Sequence, residues 1–273
     1  MFAYYPPEWE SLQNRIVGRW CPSFTGATGL QLPDTMGRNH GVLTNMDRNT
    51  AWVTSDSKGA LDFDGVNDYV NFIPPAFDPL NGITISLWVL INSYTSTSFP
   101  EFFAVASSSN SVRINLSQNG LNLTGGTVPA NGFLVQRGGG IGLAGSDTVA
   151  PLNTWVHGLF TWDRVLPQWY TNGRVSPISH AGPNTGVITR GYIGAAGTNS
   201  SGPVNYGNCR IDDIMIFNTS ITASEVQFIY EQGRGGGLLY QPTRRRSFLV
   251  SAGFKAYWAR RRSQIIGAGN VSS

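Results

Sequence analysis

Residues Ile83–Ile91 read Ile-Thr-Ile-Ser-Leu-Trp-Val-Leu-Ile. All five odd-numbered positions of this stretch are aliphatic, whereas Thr84, Ser86 and Trp88 fill three of the four even-numbered positions. Successive side chains of a β-strand point to opposite faces of its sheet. The stretch therefore predicts a long strand inside a sheet, with one strongly apolar face.

Shorter alternating segments recur along the chain, with turn residues between them. The pair Asn172-Gly173 separates two such segments and favours a tight hairpin, because both residues tolerate positive φ. Further strands are predicted at 61–64, 69–72, 102–106, 112–116, 121–123, 133–136, 155–162, 169–171, 174–175, 191–194 and 210–217. Many short antiparallel strands joined by turns favour an all-β, two-sheet sandwich.

One segment of the body has the signature of a helix. Thr222 and Glu225 form a capping box, in which each side chain can bond to the backbone amide of the other residue. The apolar residues of one helix face are Val226, Ile229 and Tyr230. Gly233 is a natural stop, so a short helix is predicted after the last strand.

The composition agrees with a β-rich protein. The chain has 273 residues, of which 13% are charged, and it contains 33 glycines and 15 prolines. This length fits one large all-β domain or two small domains, and the glycine and proline content favours many turns. Cys21 and Cys209 are too few for a disulfide scaffold, so we predict two buried thiols without a disulfide.

Charge divides the chain into a leader (1–20), a body (21–237) and a tail (238–273). The tail has seven basic residues and no acidic one, and the rest has 12 basic and 16 acidic residues, a net charge of −4. The attraction of the chain to anionic partners is therefore localised in the tail. No stretch reaches the roughly 20 apolar residues of a membrane-spanning helix, and residues 1–10 lack the features of a secretory signal. We expect synthesis in a host cytoplasm and no membrane insertion.

The order of several motifs is similar to that of a known family. The motifs are TMGRNHGVLTN (35–45), ALDFDGVNDYV (60–70), ITISLWV (83–89), WVHG (155–158) with WYTNG (169–173), and RIDDIMIF (210–217). As an ordered set, over roughly residues 19–233, they resemble the laminin G-like branch of the concanavalin A-like lectin/glucanase superfamily. The resemblance implies a jelly-roll sandwich of two curved antiparallel sheets, with a glycan- or protein-binding surface on the concave sheet and its loops.

The two ends of the chain suggest the kind of assembly to which the protein belongs. Residues 17–23 (VGRWCPS) and 257–267 (YWARRRSQIIG), together with the lectin-like body, resemble structural proteins of tailed bacteriophages. This resemblance implies a virion protein, present in many copies among other virion proteins as a capsid decoration or a tail or fibre component, whose jelly roll binds host glycans. A free carbohydrate-binding lectin module and a divergent glycoside hydrolase are the alternatives.

The acidic residues do not form the pattern of a glycoside hydrolase. Such enzymes use two carboxyl groups about 5–9 Å apart, and the Glu-x-Asp-x-x-Glu pattern typical of the family is missing. Asp62 and Asp64 share one face of a strand, but they stand just before a turn and are predicted to organise that loop. Asp212 and Asp213 are adjacent and are expected to face opposite sides. We therefore predict that the chain is not an enzyme.

A structural calcium ion is implied by the resemblance, because proteins with this sandwich often use calcium to fix the start of the chain to the last strands. The matching positions are Asp34, the neighbouring Gly37 and Asn39, and Asp212. Calcium takes six to eight oxygen ligands. The alternative is that Asp34 closes a turn and Asp212 accepts hydrogen bonds from local amides.

Aromatic and polar residues are the candidates for sugar binding, because sugars stack on aromatic rings and their hydroxyls need donors and acceptors. Strand aromatics in a sandwich usually belong to the core, so the polar loops 93–98, 107–111 and 198–206 are predicted as the contact surface. No ligand-binding residue is assigned. The tryptophans that qualify by type are Trp88, Trp155, Trp162 and Trp169.

The tail has two interpretations. Its basic and aromatic residues could hold nucleic acid through phosphate contacts and stacking, or they could dock into a neighbouring subunit. We favour docking, since a purely electrostatic arm would not need so many large apolar side chains. The predicted anchoring residues are Arg244, Arg245, Arg246, Phe248, Phe254, Tyr257, Trp258, Arg260, Arg261 and Arg262.

Overall fold

The computed structural model describes residues 7–25, 29–56, 58–74, 82–94, 99–106, 111–137, 141–180, 188–198 and 201–234. The chain divides into two units, Met1–Leu238 and Leu239–Ser273, and all described residues belong to the first. The ten residues that the sequence predicts as an anchor, Arg244 to Arg262, lie outside the described residues.

The described part of the chain consists mainly of short strands. The strands are β1 (Ile16–Trp20), β2 (Gln31–Leu32), β3 (Gly41–Thr44), β4 (Trp52–Ser55), β5 (Lys58–Asp64), β6 (Tyr69–Phe72), β7 (Ile83–Ile91), β8 (Glu101–Ala106), β9 (Ser111–Leu116), β10 (Leu121–Leu123), β11 (Gly126–Val128), β12 (Gly132–Arg137), β13 (Ile141–Val149), β14 (Trp155–Trp162), β15 (Pro167–Thr171), β16 (Arg174–Val175), β17 (Arg190–Ile193), β18 (Ala196–Thr198), β19 (Ser201–Val204) and β20 (Asn208–Phe217). The helices are α1 (Pro7–Gln13), α2 (Pro22–Thr25) and α3 (Ala223–Arg234).

Two large antiparallel sheets form the sandwich. Sheet 1 has the strand order β16-β15-β14-β7-β20-β5-β4, and β1 pairs with the second half of β20. Sheet 2 has the order β13-β12-β9-β8-β17-β6-β3-β2. Two small hairpins, β10–β11 and β18–β19, lie outside these sheets. The predicted all-β jelly-roll sandwich is confirmed.

The core lies between the inner faces of the two sheets. All nine residues of β7 are buried, and the aliphatic side chains at its odd positions belong to the main apolar cluster together with Phe103, Phe133 and Trp169. The Trp169 ring packs directly on Gly158, where a Cβ atom would approach it within 2.6 Å. A glycine on β14 therefore makes room for this tryptophan.

The leader contributes more regular structure than its sequence indicates. Pro7 occupies the first position of α1, where proline is favoured because its missing N–H has no helical partner. β1 pairs with Ile214–Phe217 of β20. A seven-residue helix and a strand paired with residues about 200 positions away have no strong local pattern, which explains why the sequence analysis treats this segment as irregular.

A bulge interrupts β20 at two acidic residues. The register of β20 against β7 shifts between Asp212 and Met215, and Asp213 has a φ of 42°. Asp212 bonds to Ser23, and Asp213 bonds to Arg19. Both partners belong to the same short segment, so the expected alternation of these two carboxylates does not hold at the bulge.

Within the described residues, no helix has the length and apolar character needed to cross a membrane.

Candidate functional site

Four polar residues lie side by side on the outer face of sheet 2. Glu101 of β8 pairs in register with Asn115 of β9, and Arg113 of β9 pairs with Gln136 of β12. Their strand neighbours, such as Ile114, belong to the core between the sheets. Since side chains alternate along a strand, these four point outward. We call Glu101, Arg113, Asn115 and Gln136 the polar cluster.

The polar cluster is partly joined by hydrogen bonds. Arg113 Nη1 donates to Glu101 Oε1 at 3.1 Å, and Asn205 Nδ2 donates to the same oxygen at 3.1 Å. Asn115 Nδ2 donates to Gln136 Oε1 at 2.7 Å. Glu101 and Asn115 are each 0% exposed. The polar cluster is therefore fixed in position by its own contacts and by Asn205.

Three atoms of the polar cluster are buried without a hydrogen-bond partner. They are Glu101 Oε2, Asn115 Oδ1 and Arg113 Nε. Leaving a buried polar atom unsatisfied costs about 1–3 kcal/mol, and more when the group is charged, so such atoms are uncommon in folded proteins. Two such acceptors and one such donor therefore lie on the neighbouring strands β8 and β9, where water or a polar ligand would complete their contacts.

The carboxyl group of Glu101 titrates far from its usual range. Burial raises its pKa, and the nearby Arg113 guanidinium and the Asn205 amide offset only part of this effect, so the pKa reaches about 7. A buried carboxyl whose pKa is close to neutral is characteristic of functional sites, although ion-pair networks also shift pKa values.

Three tyrosines lie beside the polar cluster. Tyr192 of β17 pairs in register with Ala104 of β8 and packs with it in a small cluster outside the main core. The rings of Tyr69 and Tyr192 are 6.2 Å apart, and those of Tyr69 and Tyr206 are 6.4 Å apart. The backbone of Tyr206 also forms an isolated parallel β-bridge with the backbone of Glu101. The polar cluster therefore has an aromatic border.

Two of the three loops that the sequence predicts as contact surface flank β8, whereas the third, 198–206, is not a loop throughout, because it contains strand β19 (Ser201–Val204). Residues 93–98 precede β8, residues 107–111 join β8 to β9, and the segment 198–206 ends with Asn205 and Tyr206. Residues 95–98, 107–110 and 199–200 lie outside the described residues. The loops stay a prediction as contact surface. Sequence reasoning missed the polar cluster, whose only signal is charged and amide side chains inside apolar strands.

The candidate tryptophans divide into two groups. Trp162 and Trp169 belong to the core between the sheets, as expected for strand aromatics. Trp88 and Trp155 instead lie on the outer face of sheet 1, where Trp88 stacks on Tyr230 of α3 with ring centroids 5.9 Å apart.

Buried charges on the outer face of sheet 1 are paired. Arg19 Nε and Nη2 donate to the two carboxylate oxygens of Asp213 at 2.7 and 3.0 Å, and Arg19 is 0% exposed. Burial alone would lower the pKa of Arg19, but the Asp213 carboxylate outweighs it and raises that pKa. Lys58 Nζ donates to the carbonyl of Gly233 at the end of α3, and burial lowers the pKa of Lys58.

His157 lies in the same layer, between the sheet and α3. Its Nε2 bonds with Ser86 Oγ at 2.8 Å, and its ring lies 5.2 Å from that of Trp88 and 6.0 Å from that of Tyr230. Complete burial lowers the pKa of His157 to about 3. The imidazole is therefore neutral at physiological pH.

Asp34, the first residue of the predicted calcium site, closes its own turn. Its Oδ1 accepts from the amide of Met36 at 2.9 Å, and its Oδ2 accepts from the amide of Asn39 at 3.0 Å. The Gly37 amide donates to the Asp34 carbonyl at 2.8 Å. The carbonyl of Asn39 accepts from Trp20 Nε1 at 2.8 Å. These contacts match the alternative to calcium binding, in which Asp34 closes a turn.

Asp212, the fourth predicted ligand, accepts from the amide of Ser23 at 3.2 Å and from its hydroxyl at 2.8 Å. Burial and the neighbouring Asp213 carboxylate raise the pKa of Asp212 to about 6. Within the described part of the chain, no three His, Cys, Asp or Glu side chains are grouped so as to hold a metal. As placed, the four residues do not form the oxygen cage that calcium requires, and calcium there stays a prediction.

The other acids that the sequence singles out are on sheet 1. Asp62 accepts from Arg210 Nε at 3.1 Å. Asp64 Oδ1 accepts from the amides of Val66 and Asn67 at 2.7 and 3.2 Å, which organises the turn after β5.

The chain matches one known protein family over most of the sandwich. A family model described as the concanavalin A-like lectin/glucanases superfamily matches residues 64–227. The chain belongs to this superfamily. The resemblance seen in the sequence is thereby confirmed for the jelly roll, whereas nothing in the comparisons indicates a bacteriophage structural protein. No curated protein matches the chain.

Solved structures with the same fold come from several kinds of protein. A Trypanosoma rangeli sialidase in complex with sialic acid matches with a TM-score of 0.55 and 14% identity, over 82% of this chain and 34% of the sialidase. Domain 4 of a GH43 extracellular arabinanase from Geobacillus stearothermophilus, in complex with arabinotriose, matches with a TM-score of 0.55 and 19% identity, over 79% of this chain and 98% of that domain. The binding domain of botulinum neurotoxin serotype G matches with a TM-score of 0.55 and 12% identity, over 80% of this chain and 51% of that one.

These structures correct the prediction that the chain is not an enzyme. The sialidase and the arabinanase are glycoside hydrolases, and this chain shares the fold of part of each. Identities of 14–19% show the fold alone. The sequence argument was too narrow, because it tested for one acidic motif of the superfamily, whereas an enzymatic role is compatible with this fold.

Proposed function

We propose that this chain binds a glycan through the outer face of sheet 2, at the polar cluster and the neighbouring tyrosines. The observation that carries the proposal is the set of three buried, unpartnered atoms, Glu101 Oε2, Asn115 Oδ1 and Arg113 Nε. The solved structures that share the fold support it, because two of them were determined with a sugar, sialic acid in one and arabinotriose in the other.

The chemistry of the polar cluster suits the hydroxyls of a sugar. Each hydroxyl can donate one hydrogen bond and accept others. The three atoms are buried in this structure, so a sugar reaches them only when the groups that cover them move. Adjacent hydroxyls can then donate to Glu101 Oε2 and Asn115 Oδ1, and one of them can accept from Arg113 Nε. Tyr69 and Tyr206 are only partly buried, and their rings provide faces on which a sugar ring can stack.

Binding assays on paired variants test this function. A glycan array identifies the ligand, and calorimetry then compares the wild type with Glu101→Gln and Asn115→Val, each of which alters one unpartnered acceptor. We expect affinity to fall about tenfold or more, because a hydrogen bond to a charged group contributes about 1.5–3 kcal/mol. Asp62→Asn on sheet 1 is the matched control and should bind like the wild type.

Thermal unfolding shows whether each variant is folded. Folded Glu101→Gln and Asn115→Val proteins that bind the array ligand with wild-type affinity would rule out this site.

Glycoside hydrolysis is a second candidate function of the same site. It is favoured by the pKa of Glu101, about 7, which suits a general acid at neutral pH. Hydrolysis of this kind normally needs a second carboxyl group about 5–9 Å away. Release of reducing ends from the array ligand measures the activity, and Glu101→Gln should abolish it. Absence of any release by the wild type would leave binding as the function.

The proposed biological setting is the surface of a bacteriophage virion, where the jelly roll binds host glycans and the basic, aromatic tail attaches the chain to other virion proteins. The support is the sequence of the leader and tail. Mass spectrometry of purified virions tests this setting, and absence of the chain from the particles would refute it. Removal of residues 238–273 should leave a folded body that no longer joins the particle.

A further inference from the structure

A cleft of about 340 Å³ opens on sheet 1, the sheet that does not carry the polar cluster. Strands β5, β7 and β14, the connections that hold Asp56, Asn153 and Asn172, and helix α3 contribute to its walls, which also include Trp88, Trp155 and Tyr230. We infer that this cleft is a second sugar-binding site, independent of the polar cluster, that takes one sugar ring against Trp155 and Tyr230.

The walls of the cleft combine aromatic rings with exposed polar groups. Trp155 and Tyr230 are partly buried, whereas Asp56, Asn153 and Asn172 are exposed. Amide and carboxylate groups provide donors and acceptors for sugar hydroxyls, and the two rings provide apolar faces for the C–H groups of a sugar. The volume lies within the range of pockets for small ligands. A ligand that is apolar throughout would leave the amides and the carboxylate unused, so the mixed lining favours a sugar.

Hydrogen bonds fix the backbone at Asn153 and Asn172 and the side chains of Asn172 and Trp155. The Asn153 amide donates to the Ile91 carbonyl at 2.8 Å, and the Asn172 amide donates to the His157 carbonyl at 2.8 Å. Asn172 Oδ1 in turn accepts from the His157 amide at 2.9 Å. Trp155 Nε1 donates to the Ser55 carbonyl at 3.3 Å. The side chains of Trp155 and Asn172 are therefore already in position before a ligand binds, which lowers the entropic cost of binding.

Lys58 links the floor of the cleft to α3. Its Nζ donates to the Gly233 carbonyl and lies 4.2 Å from the ring centroid of Trp88. This contact holds the C-terminal turn of α3, the helix that supplies Tyr230. The side chain of Lys58 therefore contributes to the shape of the cleft, and its ammonium group is already bonded.

Two sites on the outer faces of opposite sheets cannot be filled by the same sugar ring. One copy of the chain would then hold two glycan branches at once. Linked binding of two branches on one cell surface gives a higher avidity than either site alone.

Indole N–H signals in NMR spectra of the full chain, labelled with ¹⁵N at tryptophan, test the inference. Arabinotriose, sialic acid and the glycans found on the array are the probes, and Trp155→Phe assigns the signal of Trp155. We expect the Trp155 signal to shift saturably with at least one probe. The matched control is Trp52, which lines no part of the cleft and whose Nε1 donates to the Gly29 carbonyl at 2.9 Å, so its signal should not move.

Variants separate this inference from the proposed function. Glu101→Gln should leave the Trp155 shift unchanged, and Trp155→Ala should weaken binding at the cleft about tenfold while leaving binding at the polar cluster unchanged. Loss of the Trp155 shift in Glu101→Gln would mean one site and would overturn the inference. If none of the probes shifts the Trp155 signal while Glu101-dependent binding persists, the inference about the cleft fails and the proposed function stands. If neither site responds to any array glycan, both proposals fail.

Discussion

The outer faces of the two sheets carry buried charges in different states. On sheet 1, Arg19 and Asp213 form a bidentate ion pair, and Lys58 bonds to the end of α3. On sheet 2, Glu101 shares one oxygen with Arg113 and Asn205, and its second oxygen has no partner. Both faces belong to one sandwich, so burial alone does not explain the difference.

The difference separates stability from binding. Buried charges that are paired inside the protein hold segments together, as Arg19 does for β1 and the bulge of β20. Buried polar atoms that lack a partner cost stability. On the outer face of sheet 2 they include atoms of the charged groups Glu101 and Arg113, and of Asn115, whereas on the outer face of sheet 1 they include the neutral Trp88 Nε1 and His157 Nδ1. The comparison therefore gives the charges of sheet 1 a structural role and is consistent with the proposed binding role of the polar cluster.

The largest expected effect is on sheet 1. Arg19→Ala leaves Asp213 as an unpaired buried charge and should lower the free energy of unfolding by about 3–5 kcal/mol. Chemical denaturation measures the loss. Arg210→Ala is the control, because its ion pair with Asp62 has side chains that are 33% and 35% exposed and should contribute only about 0–1 kcal/mol. Equal losses in the two variants would break the comparison.

The next largest effect concerns Glu101 of sheet 2 and is a change in how the free energy of unfolding depends on pH. Burial raises the pKa of Glu101 from 4.5 to about 7, so between these values the folded state binds more protons than the unfolded state. Stability therefore falls as pH rises through this window, by up to about 1.4 kcal/mol per pH unit. Glu101→Gln should remove this part of the pH dependence and should unfold at a higher denaturant concentration than the wild type at about pH 8.

Asp212 acts in the same direction, because its pKa is raised to about 6, so part of the pH dependence should remain in Glu101→Gln. The double variant Glu101→Gln, Arg113→Gln checks whether the unpaired guanidinium offsets the gain. If both variants keep the wild-type slope, the carboxyl of Glu101 is not the group that titrates.

The smallest effect concerns the helix that covers sheet 1. Thr222 Oγ1 accepts from the Glu225 amide at 3.3 Å, and Glu225 Oε2 accepts from the Thr222 amide at 2.8 Å. Thr222→Ala should destabilise the protein by about 1 kcal/mol, measured by denaturation. Thr222→Ser keeps the hydroxyl and should behave like the wild type, and an equal loss in both variants would contradict the capping role.

Sequence patterns predicted the parts of the fold that depend on local chemistry. The alternation of Ile83–Ile91 predicted β7, the Asn172-Gly173 pair predicted the hairpin of β15 and β16, and the capping box predicted α3. The family resemblance predicted the sandwich. The helix α1 and the pairing of β1 were missed, because α1 is short and the partner of β1 lies about 200 residues away.

The candidate sites were less accessible to sequence reasoning. The three polar segments were predicted from their composition; 93–98 and 107–111 flank β8, whereas 198–206 contains the strand β19. Glu101 and Asn115 were not chosen, since each is a single polar residue within an apolar strand. Trp155 was placed with the core tryptophans because a strand pattern does not show which outer face remains open to solvent.

The sequence by itself determined strands such as β7 and β14, the turn at Asn172-Gly173 and the capped helix, because period-two alternation, glycine conformation and end capping act over a few residues. It did not indicate strands such as β3, β4 and β13. Only the tertiary structure decided which polar residues meet. Glu101 and Asn115 become neighbours through strand register, and Arg19 contacts Asp213 although 194 positions separate them in the sequence. How completely a buried charge is paired depends on these long-range contacts: Arg19 bonds to both carboxylate oxygens of Asp213, whereas Glu101 bonds to Arg113 and Asn205 through one oxygen only and its second oxygen has no partner.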